Sequence, residues 1–156
     1  MFDWLQPSKK IPVVQHENVQ DVILTYDKMP KRFGGDVHYT NNFIWLIHVM
    51  PSFEETCLIS HTLTSIKEEI IINGILDEGT MRKHTFIIYG KNVSDTEQLE
   101  KKYHQMISLG FTRIFLYLGG MFEWTLLQQQ GGVDGFPTTS AVEDCFEFKI
   151  PKLSRL

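Results

Sequence analysis

The sequence predicts an α/β fold: a central, mostly parallel five-stranded sheet with helices on both faces, flanked by apolar N- and C-terminal arms. Three observations predict it. Short runs that are apolar at nearly every position (residues 43–49, 85–89 and 114–118) read as strands buried on both faces, as parallel sheets require. Segments with apolar residues at helical spacing alternate with them, which is the signature of β-α units. Glycines and prolines punctuate the boundaries, notably Pro51, Gly110, the pair Gly119-Gly120 and the pair Gly131-Gly132.

Taken in order, residues 11–14 read as a first strand despite Pro12, and residues 17–26 as a helix carrying Val19, Val22, Ile23 and Tyr26. Residues 30–42 are irregular around Gly34-Gly35. Residues 43–49 form the second strand, which Pro51 stops, and residues 57–63 a weaker third. Ser65-Ile66-Lys67-Glu68 reads as a capping box that opens a helix to about Leu76. Another strand ends at Tyr89. Ser94-Asp95-Thr96-Glu97 reads as a second capping box, and its helix, with Leu99, Tyr103, Met106 and Ile107 on one face, stops at Gly110. The last strand covers 114–118 and a last helix 121–130. The expected division is an arm at 1–10, a domain at 11–130 and a C-terminal extension at 131–156.

Composition narrows the function. A chain of 156 residues that is 42% hydrophobic can build one real core. The formal net charge of −4 gives no support to nucleic-acid binding, and the basic end Lys149, Lys152 and Arg155 is too small to change that. No apolar run approaches the roughly 20 residues of a membrane helix, so no membrane insertion is expected. The opening Met1-Phe2-Asp3-Trp4-Leu5-Gln6-Pro7 has the pattern of neither a signal nor a transit peptide, and a cytoplasmic location is the expectation. Two cysteines make no disulfide framework.

The candidate site is the loop Gly90-Lys91-Asn92-Val93-Ser94-Asp95. It follows a buried strand and opens a helix, and backbone amides at such a turn suit an anion. Its first position, where a nucleophile would stand, is a glycine, so no catalytic residue is expected there. His48 and Met50 lie at the end of the earlier buried run; His48 either faces a ligand or bonds the backbone. Cys57 and His61, four apart, would share a helix face as thiol and base, whereas on a strand Cys57 is a small buried hydrophobe. Cys145 sits among Glu143, Asp144 and Glu147, which oppose a thiolate. The six histidines (His16, His38, His48, His61, His84, His104) show no zinc spacing, and neither metal nor cofactor is expected. Trp124 is expected to pack the last helix on the sheet. Trp4, Phe122, Phe136, Phe146 and Phe148 are the candidate partner-binding residues.

These residues resemble the rhodanese domain, the sulfurtransferase fold. Gly110-Phe111 matches its glycine-phenylalanine turn, Gly119-Gly120-Met121-Phe122-Glu123-Trp124 its closing glycine pair and tryptophan, Phe86 to Tyr89 the strand before its nucleophile, and Leu46-Ile47-His48-Val49-Met50 its earlier strand. The resemblance spans about residues 11–127. It implies a catalytic cysteine where this chain has Gly90, an aspartate at His48 and an arginine at Met50, which makes His48 and Met50 the expected pocket residues. Without the thiol neither a persulfide nor the chemistry of the related tyrosine phosphatases can form. The expectation is therefore a catalytically inactive rhodanese-like domain, a pseudoenzyme acting as a protein-binding or structural module and holding protein partners through its terminal arms. The alternatives are a sulfurtransferase or oxyanion-handling enzyme with a non-standard site, or a small-anion or persulfide sensor. If the loop amides are preorganised for an anion, Gly90→Cys is expected to give a thiol of low pKa.

Overall fold

Helices cover both faces of a parallel sheet, and this is why its strands are apolar at successive positions. The computed structural model describes residues 11–28, 43–142 and 148. Its elements are α1 (His16–Lys28), β1 (Phe43–His48), α2 (Ser65–Glu78), β2 (His84–Tyr89), α3 (Thr96–Ser108), β3 (Arg113–Tyr117) and α4 (Gly120–Gly131), with single 3₁₀ turns at Ser52–Glu54, Met81–Lys83 and Val93–Asp95. The strands pair in parallel in the order β1-β2-β3, with Phe43 opposite His84 and Tyr89 opposite Tyr117. Alternate side chains go to opposite faces. Leu46, Ile87, Tyr89 and Tyr117 join Val19, Val22 and Ile23 of α1 and Met121 and Trp124 of α4. Trp45, Ile47, Phe86, Ile88 and Leu116 join Ile72 and Ile75 of α2 and Leu99 and Met106 of α3.

The α/β class holds, but among the described residues the sheet has three strands rather than five. The two missing strands are present only as edge contacts. Residues 11–14 bridge β3 once, at Val13 and Leu116, through Leu116 N–H to Pro12 C=O and Val14 N–H to Leu116 C=O, both 2.9 Å. Pro12 has no N–H to extend that ladder. Residues 57–63 bridge β1 once, at Thr62 and Leu46. There His61 takes a left-handed φ of 70°, and the turn it makes with Thr62 N–H on Ile59 C=O at 3.1 Å interrupts the run.

The caps are shifted from their expected positions. Thr64, not Ser65, caps α2, accepting from Lys67 N–H at 3.4 Å, and Gly79 in the left-handed region ends that helix two residues beyond Leu76. Before α3, Asn92 rather than Ser94 takes the capping role: its Oδ1 accepts from Ser94 N–H at 2.9 Å and a 3₁₀ turn intervenes. Residues 135–140 run beside 56–60. Their bonds are Ser60 N–H to Pro137 C=O (3.1 Å), Thr139 N–H to Leu58 C=O (2.8 Å) and Leu58 N–H to Thr139 Oγ1 (2.9 Å). Trp124 is fully buried and donates its indole N–H to Pro137 C=O at 3.0 Å.

Candidate functional site

The 90–95 loop leaves the carboxyl end of β2 and is tied to the start of α4. Gly90 C=O accepts from Met121 N–H at 3.0 Å and Lys91 C=O from Phe122 N–H at 2.9 Å. The approach is close enough that a Cβ on Gly120, whose φ is 63°, would collide with the Gly90 carbonyl.

The polar groups at the mouth of this loop have partners within the chain. Lys91 N–H donates to Asp95 Oδ2 at 2.6 Å, and the Lys91 ammonium pairs with Glu54 at 3.2 Å. Asp95 N–H donates to Asn92 C=O at 3.1 Å. Asn92 is only 1% exposed; its Oδ1 also accepts from Ser94 Oγ at 2.5 Å, and its Nδ2 donates to Phe148 C=O at 2.7 Å. Val93 projects outward, half exposed. A Cβ at position 90 would stand 2.6 Å from Asp95 Oδ2 and 2.9 Å from Asp95 Cβ. The Asp95 carboxylate thus lies against Gly90.

His48 and Met50 lie close by, both buried. His48 Nδ1 accepts from Met50 N–H at 3.1 Å, so this nitrogen carries no proton. Nε2 therefore carries one and donates it to Glu55 Oε1 at 2.9 Å. The same oxygen accepts from Ser65 N–H at 2.6 Å and from Ser65 Oγ. Burial pushes the Glu55 carboxyl up, but the bonds from Ser65 and then His48 outweigh it and hold the group below its ordinary value. Ser65, Glu55 and His48 do not form a nucleophile relay, because the serine hydroxyl bonds the carboxylate and not the imidazole. They clamp the end of β1 to the start of α2. Nothing in the sequence pattern singles out Glu55, because its bonds run to a histidine seven residues back and a helix start ten residues on.

A second polar cluster also escapes sequence reading. Tyr117 Oη donates to Glu123 Oε1 at 2.8 Å, and His16 Nδ1 stands 3.6 Å from the same oxygen. Cys57 and His61 are not brought together as a pair. The buried Cys57 thiol points at Ser140 C=O at 3.7 Å, while His61 Nε2 pairs with Asp27 at 2.7 Å and its ring stacks on Tyr26.

Of the candidate partner-binding residues, Phe136 packs edge-on to Trp124 with ring centroids 5.1 Å apart, Phe148 is buried in the same core, and Phe122 is half-buried against it. Trp4, Phe146 and Cys145 lie outside the described residues. Among the described residues no three His, Cys, Asp or Glu side chains converge as metal ligands, and no helix is long and apolar enough to cross a membrane. A cleft of about 190 Å³ between α1 and residues 134–137 is lined by Asp21, Leu24, Asp27, Asp134 and Pro137. Small-molecule sites occupy roughly 300–1,000 Å³, and none of the 90–95 loop lines this cleft. No family model matches this chain, and neither a curated protein nor a solved structure matches it.

Proposed function

We propose that this protein is a catalytically inactive rhodanese-like domain that serves as a protein-binding or structural module, with its terminal segments as the contacts. One observation carries the reading. The loop that would hold a nucleophile and an anion is engaged from within, by Asp95 on Lys91 N–H and against Gly90, and by Glu54 on the Lys91 ammonium. An incoming oxyanion would have to displace one carboxylate and approach another, and like charges at such separations repel.

The supporting features are chemical. Gly90 has no side chain to carry a persulfide or acyl group. His48 and Met50 are committed to a buried clamp rather than to an open pocket. The one histidine-thiol pair that the sequence offers, Cys57 with His61, is dispersed.

The test is sulfur transfer from thiosulfate to cyanide by the purified full chain, together with its Cys57→Ala variant. The expected result is no turnover above the uncatalysed rate in either protein. Turnover that the wild type shows and Cys57→Ala loses would overturn the reading and make Cys57 the carrier.

A further inference from the structure

Asn73-Gly74 in α2 is chemically the most labile pair among the described residues. Asparagine is a thermally labile residue, because the backbone nitrogen of the next residue can attack its side-chain amide carbon. A glycine in that next position hinders the attack least and lets the backbone reach the geometry it needs. The other described asparagines, Asn18 and Asn92, each precede a valine, whose branched side chain shields the nitrogen. Asn92 is also buried, with both its side-chain polar atoms bonded.

Both Asn73 and Gly74 are exposed, and they lie about one turn before α2 ends at Glu78. Neither favours a helix. Nothing within the fold requires the glycine: its φ is not positive, and a Cβ added there would meet nothing within 4 Å. No other element covers this side of the pair, so its protection comes from the helix alone. In a wound α2 the Gly74 N–H is turned along the axis toward the carbonyl four residues back. Helical ψ at Asn73 also holds that nitrogen away from the side-chain carbon. The end of the helix is fastened by buried Ile72 and Ile75 and by Gly79, whose φ is 70° and whose N–H returns to Ile75 C=O at 2.9 Å. Helix ends fray, and unwinding from Gly79 back past Gly74 removes the protection.

We propose that Asn73-Gly74 is a site of spontaneous covalent modification, closed while α2 is wound and open when its last turns unwind. Gly74 N loses its proton and bonds Asn73 Cγ; the bond from Cγ to the amide nitrogen breaks, and ammonia leaves with that proton. Water then opens the ring imide. Cleavage between Gly74 N and Cγ leaves an aspartate, and cleavage between Gly74 N and the Asn73 backbone carbonyl carbon leaves an isoaspartate, whose backbone is one carbon longer. Asparagine and water become an acid and ammonia, with no other reactant. The product opposes the wound helix. Glu69, position 73 and Asp77 recur every four residues, and like charges at that spacing destabilise a helix. The new charge also approaches the negative end of α2, whose last turn holds no basic residue. Each event records one opening of α2 and eases the next.

The test is peptide mass spectrometry of the full chain after timed incubation in mildly alkaline buffer, with aspartate and isoaspartate at position 73 separated by chromatography. Wild type is expected to form both at position 73, at least tenfold faster in denaturing urea than in buffer, with neither at Asn18 or Asn92 over the same period. Gly79→Ala strains the left-handed end of α2 without touching the reacting atoms. It is expected to speed the reaction severalfold in buffer and to leave the rate in urea unchanged. Gly74→Ala is expected to slow the reaction at least tenfold in urea and to raise the melting temperature, since alanine fits the space and suits a helix better. Asn73→Asp is expected to melt below wild type, by less at high salt. Equal wild-type rates in buffer and in urea overturn the proposal, because the helix is then no gate. So does the absence of product at position 73 in urea, or a Gly79→Ala rate in buffer that matches wild type.

Discussion

Gly90 and Asp95 exclude each other's alternatives. With a Cβ at position 90 set to lie within 3 Å of two Asp95 atoms, even alanine forces the loop to move. Gly90→Ala is expected to cost about 1–3 kcal/mol, the range for overpacking a fitted site, measured by urea denaturation. In Asp95→Gly, which removes the obstructing atoms, the added cost of Gly90→Ala should shrink; two costs that simply add would disprove the contact. The same geometry reverses the expectation for Gly90→Cys. A thiol placed beside the Asp95 carboxylate should titrate at or above about 8.5, the ordinary value, as read by its rate of alkylation against pH. Glu55 is the other residue on which much depends. Glu55→Ala leaves the buried His48 Nε2–H without its acceptor and is expected to cost roughly 2–3 kcal/mol, the upper range for an orphaned buried donor. Its pKa lies below the unfolded value. The stability it contributes is therefore fully present above the ordinary carboxylate range and is lost as pH falls through its lower folded value.

At the scale of elements, the strands and helices were legible where burial leaves a periodic trace. Residues 45–47, 86–89 and 114–117 were readable as strands because each must satisfy two cores at once. The α1 residues Val19, Val22 and Ile23 were readable because they recur along one face. The edges were not readable. Pro12 and the left-handed His61 reduce two apolar runs to single bridges, a conformational event that hydrophobicity does not encode. The caps slipped because Thr64 and Asn92 are capping residues as well as Ser65 and Ser94, and capping preference alone does not say which of two adjacent candidates the tertiary fold places at the helix start. Asp95 and Glu55 were missed as structural groups because their partners are backbone amides and a distant histidine. One further element carries a pH signature. His84 opens β2 and accepts the Trp45 indole N–H on Nδ1 at 2.9 Å, which requires a neutral ring. Burial lowers its pKa, with Lys83 adding and Glu78 opposing. The unfolded chain therefore takes up the proton first, and stability is expected to fall as pH drops through about 6.5 toward the lower folded value, with a slope of at most about 1.4 kcal/mol per pH unit. His84→Asn, which keeps an acceptor for Trp45, should flatten this part of the urea-midpoint profile. An unchanged profile would exclude His84 as its source.

At the scale of the whole molecule, Glu55 and His84 act at different ends of β1 and β2 and in adjacent pH windows. The protein should lose stability in two stages on acidification, first from the histidine range and then from the carboxylate range. Loss in a single stage near pH 4 would leave His84 without the role assigned to it. The fold and the candidate site also separate here. Two continuous cores follow from apolar pattern alone, so the α/β class was accessible from sequence. The state of the loop depends on which carboxylate reaches which amide, and that is settled only when β1, β2 and α4 are assembled around it.

The pairing of residues 135–140 with 56–60 sets a schedule for synthesis. Leu58 and Ile59 are almost wholly buried, and bonds such as Leu58 to Thr139 span 81 residues of chain. Contacts so far apart in sequence form late, after their loop-closure entropy has been met. On a ribosome adding about 5–20 residues per second, Leu58 would be made several seconds before Thr139. At the end of that interval the nascent chain has its central strands but not the segment that covers Leu58 and Ile59. The vulnerable species in the life of this protein is thus a chain that has its strands but lacks Thr139, and a variant that stops before Thr139 should be cleared as an unfinished one.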